Sequence, residues 1–413
     1  MKASIITIGD ELLIGQTIDT NSAWMGAELS KYGFDVYRIT SVHDRREDIL
    51  YSLKEATGKS DVVLITGGLG PTSDDITKQT LCEFFDTHLI INEDVLFMIE
   101  KMMHHRNFPM NDKNHRQAEV PESCRVLKNA EGTAPGMWFE RDNTIFISMP
   151  GVPHEMKHLM EKMVLPELKK RFTSQTIIHR NIMTYGTFES KLADILTDFE
   201  SGLPSNIKLA YLPASGIIKL RLTGTGSDKE SLSKKLNDQV DILYKTIPEY
   251  IYAEDEESLE MVIGKLLKSK QKTLSAAESC TGGEIAHLIT SVSGSSAYYK
   301  GSVIAYANSV KMQLLGVKAS TIEKYGAVSQ QTVKEMAEGS RKLFATDYSV
   351  ATSGIAGPDG GSDEKPVGIL WIAVASEKEV VCEKRVFGDN RTINIKRFSL
   401  ASLNLLRKQI IKQ

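Results

Sequence analysis

Over the first seventy residues, short apolar runs alternate with amphipathic stretches that stop at glycine, and this rhythm constrains the fold more than any other feature. Residues 4–8, 36–42 and 62–66 read as strands, while 21–32 and 45–57 read as helices closed by Gly33 and Gly58. Strand–helix–strand repetition implies a parallel sheet covered by helices. Ligands of such sheets bind outside the carboxyl ends of the strands. Three polar loops fall there: Gly9-Asp10-Glu11, His43-Asp44-Arg45, and residues 66–75. The same alternation returns in the last 160 or so residues, with a shorter mixed segment between. The expected class is α/β: two three-layer α/β domains, 1–170 and 253–413, joined by a small α+β module at 171–252.

A chain of 413 residues exceeds one ordinary core. Its net charge of −3, with 25% charged residues, argues against a polyanion-binding or membrane-surface protein. Cys82, Cys124, Cys280 and Cys382 are scattered without a C-x-x-C pair, which suits a reducing compartment and neither a disulfide frame nor a zinc site. No apolar run approaches the ~18 residues of a membrane span. The apolar start is too short for a signal peptide and reads as a buried strand. The cytoplasm is the expected location.

The loop at 66–75 carries the chemistry of the first domain. Gly67, Gly68 and Gly70 would free backbone amides for a phosphate, with Thr72 beside them. Asp74 and Asp75 would repel a bare phosphate, which a bridging divalent cation would cure. No Gly-Lys-Ser/Thr follows, so this is not a Walker A loop. Either aspartate has a plain alternative as N-cap of a helix at 76–85.

The motifs GDELLIG (9–15), TGGLGPTSDD (66–75), GTAPG (132–136) and PGVPHEM (150–156), with Asn114, Arg116, Gln117, Ala118 and Pro121, resemble the molybdopterin-binding-like domain of the CinA family. The resemblance implies a fold similar to molybdenum-cofactor biosynthesis proteins. It also implies divalent-metal-dependent (Mg, Mn or Co) hydrolysis of ADP-ribose to AMP and ribose phosphate, with Asp10, Asp44, Asp74 and Asp75 around a nucleotide and metal pocket.

In the middle segment a helix at 190–199, strands at 207–211 and 217–223, and a helix at 229–247 are expected. The family resemblance implies a KH-type fold here. A KH domain grips nucleic acid through a G-x-x-G loop between helices, which is absent. Basic and acidic residues nearly balance over 171–250, so a spacer or dimer-forming module is expected rather than a phosphate-tracking groove. The acidic run at 254–257 reads as the start of a helix and a domain boundary.

In the last domain, Ala276-Ala277-Glu278-Ser279-Cys280-Thr281-Gly282-Gly283 precedes Ile285, Leu288, Ile289 and Val292, one stripe of a helix. A hydroxyl and a thiol thus stand before a helix amino end, where unpaired N–H groups can hold an oxyanion. Thr281, Gly282 and Gly283 are expected against the substrate. Serine needs a base. Of nine histidines only His287 lies in this domain, on the outward face of its helix. Lys311 is the alternative base, its pKa lowered by burial, near Tyr306 and Asn308 at a strand end. Cys280 is a rival nucleophile, but lacks a His or Cys partner and equally suits a small buried apolar group. A second glycine loop at 352–361, with Gly354, Gly357 and Arg391, would hold a substrate phosphate.

AESCTGG, AYANSVK, YGAVS, SGIAGPDGG followed by KPVG, and GDN-R resemble in order the CinA carboxy-terminal domain, the PncC-type nicotinamide mononucleotide deamidase. That resemblance implies release of nicotinic acid mononucleotide and ammonia by a Ser279/Lys311 pair assisted by Tyr306, with no cofactor. The family's GDR stands here as Gly388-Asp389-Asn390-Arg391, which leaves the arginine's place open. Expected partners are small nucleotides and a second copy of the chain, not nucleic acid or membrane. Two other functions remain: a non-catalytic nucleotide-binding protein linked to competence or DNA damage, and a molybdopterin-binding protein.

Overall fold

The computed structural model describes residues 1–413 apart from Ser73, Asp74, Arg106, 173–175 and Ser215. The described chain divides into two compact units, Met1–Ile178 with Thr225–Leu232, and His179–Gly224 with Ser233–Gln413.

The apolar runs of the first unit form a six-stranded sheet in the order Asp35–Val42, Lys2–Ile8, Val62–Thr66, Thr144–Met149, Gly136–Arg141, Arg125–Leu127. The first four strands pair parallel, and the last two join antiparallel. Val62–Thr66 is buried at every position because successive side chains feed opposite faces. Ile5, Val62, Leu64 and Ile147 pack with Met25 and Leu29 of the Thr20–Lys31 helix. Ile6, Val63, Ile65 and Phe146 pack with Ile49 and Leu53 of the Arg46–Ala56 helix and Leu81 of the Thr77–Phe85 helix. Each such side chain contributes roughly 1.5–3 kcal/mol on burial. The layers are helix, sheet, helix, and the polar loops after residues 8, 42 and 66 share one edge of the parallel strands.

In the second unit, a four-stranded sheet runs Ile207–Ala214, Ile217–Gly226, Thr176–Tyr185, Ile251–Glu254. The interior strand at 176–185 and the edge strand at 251–254 escaped the sequence reading, the first because His179, Arg180 and Asn181 break its apolar run. The expected helix at 190–199 is two shorter ones, Glu189–Ile195 and Thr197–Ser201.

The second sheet of this unit is ordered Tyr299–Ile304, Leu274–Glu278, Tyr348–Gly354, Ile369–Ala375, Val380–Val386. The first three strands are parallel and the last two antiparallel. One face is lined by Ala277, Ala351, Ala373 and Ala375, small side chains that let the Gln330–Leu343 helix lie close through Val333, Met336 and Ala337. The other face packs Leu274, Val350, Leu370 and Ile372 against Leu259, Ile263, Ile285, Phe398 and Leu406. The final helix, Arg391–Lys412, follows the Gly388–Arg391 stretch. It is buried at nearly every position from Phe398 to Ile410, because Tyr252 and Ala253 of the four-stranded sheet join the same core. Arg407 reaches across to the Ile251 carbonyl at 3.5 Å. Among the described residues no helix is long and apolar enough to cross a membrane.

Gly339 sits where the Gln330–Leu343 helix meets the end of the Asn308–Leu315 helix. A Cβ there would stand 1.9 Å from the Leu315 carbonyl oxygen, a backbone atom that cannot turn aside. Gly339→Ala should therefore lower the unfolding midpoint of the second unit, at a cost of about 1–3 kcal/mol. A thermal melt with an unchanged or higher midpoint would show that these helices do not pack this closely.

Candidate functional site

The Leu274–Glu278 strand delivers Ser279 to the carboxyl edge of the second unit's parallel strands. The Ser279 amide donates to the Thr352 carbonyl of the neighbouring strand at 3.2 Å, and its carbonyl accepts from the Gly282 amide at 3.2 Å. Gly282 (φ 62°) and Gly283 (φ 104°) then turn the chain into the Glu284–Ser291 helix, conformations that cost an L side chain energy. The glycines are needed for this turn. They and Thr281, whose hydroxyl is 2.9 Å from that of Thr352, are not among the cavity's lining residues.

Two buried charges flank Ser279. Glu278 is fully buried, and its carboxylate accepts from the amides of Gly283 (3.0 Å), Ile285 (3.1 Å) and Ala286 (2.8 Å). The helix tip expected to hold an oxyanion is thus already occupied by a carboxylate of the same chain. Among the described residues the Cys280 amide has no backbone partner, and Cys280 lines the same cavity as Ser279.

Lys311 is 1% exposed and stands in the first turn of the Asn308–Leu315 helix, not at a strand end. Ala307 is the extended leading residue of that helix. Lys311 Nζ donates to the carbonyls of Ala305 (2.7 Å) and Tyr306 (3.2 Å). Burial pushes its pKa down, opposed only by the nearby Cys280 thiol. Cys280 is itself buried, and desolvation raises its thiol to about 12, so the thiolate is scarce at neutral pH.

Ser279, Tyr306, Asn308, Lys311, Gly354, Gly357 and Arg391 line one cavity of about 270 Å³. The expected residues that meet there come from four separate stretches of chain. Arg391 spans the mouth: it donates to the Gly357 carbonyl at 3.0 Å and to the Tyr306 hydroxyl at 3.1 Å. Tyr306 is otherwise 63% exposed. The extra residue in the GDN-R stretch has a role, since Asn390 caps the final helix by accepting from the Ile393 amide at 3.1 Å. Arg391 is then the first helical residue. Ser353 and Asp359 also line the cavity, and sequence reasoning missed both, as it missed the capping role of Glu278. Ser353 Oγ donates to the Ala327 carbonyl at 2.7 Å. An acid placed five residues before a glycine-led helix was the available signal for Glu278.

In the first unit, Gly67 and Gly68 have φ of 111° and 63°, and a Cβ on either would come within 2.1 Å of the Ile8 carbonyl or the Thr77 hydroxyl. The amides of Gly70 (2.7 Å) and Thr72 (2.9 Å) are taken by the Asp75 carboxylate, and are not free for a phosphate as expected. Asp75 does not cap the next helix either, whose leading residue is Ile76. Asp74 lies outside the described residues. Asp10 and Asp44 do meet: the Asp10 amide donates to Asp44 at 3.2 Å and the Asp44 amide to Asp10 at 3.4 Å. His43 Nδ1 lies 2.8 Å from the Asp10 carboxylate, and this hydrogen bond holds that carboxyl below its usual range. The Asp44 carboxyl is raised by burial, against the lowering effect of the Asp10 amide, with the negative charges of Asp10, Glu11 and Asp75 adding to the rise. Among the described residues no three His, Cys, Asp or Glu side chains form a ready metal cage. Two neighbouring carboxylates, one of them partnered by His43, fit an ion that takes its remaining ligands from phosphate and water, as Mg²⁺ commonly does.

Three family descriptions match the chain in order: "Probable molybdopterin binding domain" over residues 4–170, "Damage-inducible protein CinA KH domain" over 179–253, and "CinA C-terminal domain" over 256–410. The chain is 50% identical over 408 residues to a CinA-like protein of Cytophaga hutchinsonii, covering 99% of this chain and 98% of that one. It is 42% identical over 395 residues to a putative competence-damage inducible protein of Halothermothrix orenii, covering 95% of each. Among solved structures, the competence/damage inducible protein CihA of Agrobacterium tumefaciens is 37% identical, covering 36% of this chain and 91% of that one, with a TM-score of 0.35.

The buried Lys311 ammonium is disfavoured in the folded protein, while the unfolded lysine titrates near 10.4. Below its folded pKa the residue is charged in both states and its burial opposes folding. Stability therefore rises with pH between the two pKa values, because the unfolded chain binds more protons there. Lys311→Met should melt higher than the parent at neutral pH, with the gain shrinking as pH nears 10 or so. A gain that stays constant across that range would contradict a depressed pKa.

Proposed function

The chain belongs to the CinA family, with a molybdopterin-binding-like part, a KH part and a CinA C-terminal part in that order, and from this premise we propose that its C-terminal part hydrolyses the carboxamide of nicotinamide mononucleotide. The observation that carries the reading is the hydrogen bonding of Lys311. A neutral amine has two hydrogens and one lone pair. The carbonyls of Ala305 and Tyr306 accept both hydrogens, which leaves the lone pair as the free position of a side chain that lines the Ser279 cavity. Burial favours this neutral form.

In the reaction, Ser279 Oγ attacks the carboxamide carbon while Lys311 Nζ takes the hydroxyl proton. The oxyanion is met by the Cys280 amide; one donor of this kind is typically worth about 10²–10³ in rate. Lys311 returns the proton to the departing nitrogen, the carbon–nitrogen bond breaks and ammonia leaves. Water then attacks the acyl ester, again giving its proton to Lys311. Nicotinic acid mononucleotide is released and Ser279 regains its hydrogen. Arg391, which donates once to the Gly357 carbonyl and once to the exposed Tyr306 hydroxyl, is suited to the substrate phosphate. No cofactor is needed.

A second activity is supported by the Asp10–Asp44 pair of the first unit. These carboxylates would hold a divalent ion (Mg, Mn or Co), whose contribution is to neutralise the pyrophosphate oxygens of ADP-ribose. Small nucleotides, a homodimer and a cytoplasmic setting complete the proposal, and the near-neutral KH part is taken as a spacer or dimer module instead of a nucleic-acid reader.

Ser279→Ala should lower ammonia release from nicotinamide mononucleotide by roughly 10³-fold or more without changing the melting curve. Turnover close to the parent's would remove Ser279 from the chemistry. The rate should climb with pH through a lysine pKa lower than the ordinary value, and Lys311→Met should abolish that limb. Release of AMP from ADP-ribose should stop on chelation and in Asp10→Asn. Silence of the parent in both assays would favour the non-catalytic nucleotide-binding or molybdopterin-binding alternative.

A further inference from the structure

Among the described residues, Glu278 is the only buried acidic side chain, and its carboxylate makes hydrogen bonds and no salt bridge. Its partners are all dipoles. Oε2 accepts from the Gly283 and Ile285 amides at 3.0 and 3.1 Å, and Oε1 from the Ala286 amide at 2.8 Å and, more weakly, the Ser302 hydroxyl at 3.4 Å. Three of these donors belong to the turn and helix that follow Ser279. The fourth belongs to the Tyr299–Ile304 strand. The main chain of Glu278 is tied as well, since its carbonyl accepts from the Ala305 amide at 2.7 Å. The Ala305 carbonyl in turn holds Lys311 Nζ at 2.7 Å. One residue is therefore bonded to both sides of the cavity. It is covalently joined to Ser279, clamps the helix beyond it, and reaches Lys311 through a single intervening residue.

We propose that Glu278 is the positioning residue of the amidase, setting where the Ser279 hydroxyl stands relative to the Lys311 amine. The inference rests on the amidase reading above. A carboxylate suits this place because only an acceptor-only group can take four donors at once. Its charge is satisfied by the positive end of the Glu284–Ser291 helix. It is therefore not among the groups that shift Lys311, and the amine is left free to be neutral. The same bonds close the helix tip to other anions, so neither the substrate phosphate nor the carboxylate product can settle there.

Glu278→Gln presents one amide oxygen where two oxygens served, and turns an NH₂ towards amides that need an acceptor. Glu278→Asp keeps the charge but withdraws it by one methylene. In the full-length protein with nicotinamide mononucleotide, Glu278→Gln should lower kcat by roughly 10–100-fold, the scale of a displacement of about 1 Å. KM should stay within about threefold, and the pH limb belonging to Lys311 should not move. Glu278→Asp should fall between parent and Glu278→Gln. A kcat within twofold of the parent in Glu278→Gln overturns the inference. So does a KM rise at constant kcat, or a displaced pH limb, since those belong to substrate binding or to direct electrostatic action on the base. If both variants lose their cooperative melting transition, Glu278 is a folding determinant only and the inference is likewise overturned. No ammonia from the parent protein would instead sink the amidase reading and take this inference with it, so the two failures are distinct.

Discussion

A buried amine with no carboxylate beside it is the constraint around which the second unit's functional edge is arranged. Lys311 is held by two backbone carbonyls, and the one buried acid among the described residues, Glu278, gives its oxygens to a helix amino end. Had Glu278 paired with Lys311 directly, the ammonium would be stabilised, and the proposed base with it lost. Satisfying each charge with dipoles keeps both buried without letting them neutralise one another. The Ala-rich face of the sheet serves the same end, because it lets the Gln330–Leu343 helix lie close and enclose the region from one side.

Glycine-rich loops look alike in sequence, yet their structural reasons differ from the simplest expectation. At Gly67, Gly68, Gly354 and Gly357 an added Cβ would meet protein atoms at 2.1–2.5 Å. These glycines are demanded by packing at strand ends before any ligand is considered. In the first unit, the loop's own acid, Asp75, has filled two of the amides. In the second, Glu278 has filled three. Amides near a glycine turn are available to a ligand only after the local carboxylates have been assigned.

Much of the fold was legible because burial on both faces writes itself as unbroken apolar runs, as at Val62–Thr66 and Tyr348–Gly354. The Thr176–Tyr185 strand was not, because only alternate positions are buried late in the strand and His179, Arg180 and Asn181 interrupt its apolar residues. For the site, Ser279, Lys311, Tyr306, Asn308, Gly354, Gly357 and Arg391 could be named from sequence, and one cavity gathers them. Whether an amide is free or capped is a three-dimensional fact, so the oxyanion assignment to the helix tip failed. The all-round burial of the final helix was hidden for a similar reason: its covering partner, around Tyr252, lies some 150 residues earlier in the chain.

The central claim is that Ser279, activated by a neutral Lys311, forms an acyl ester in the course of amide hydrolysis. Rapid-quench mass spectrometry of the protein mixed with nicotinamide mononucleotide tests it most directly. The account predicts a transient adduct of the acyl mononucleotide mapped to Ser279, absent in Ser279→Ala. Turnover with no adduct, or an adduct on Cys280, would contradict it.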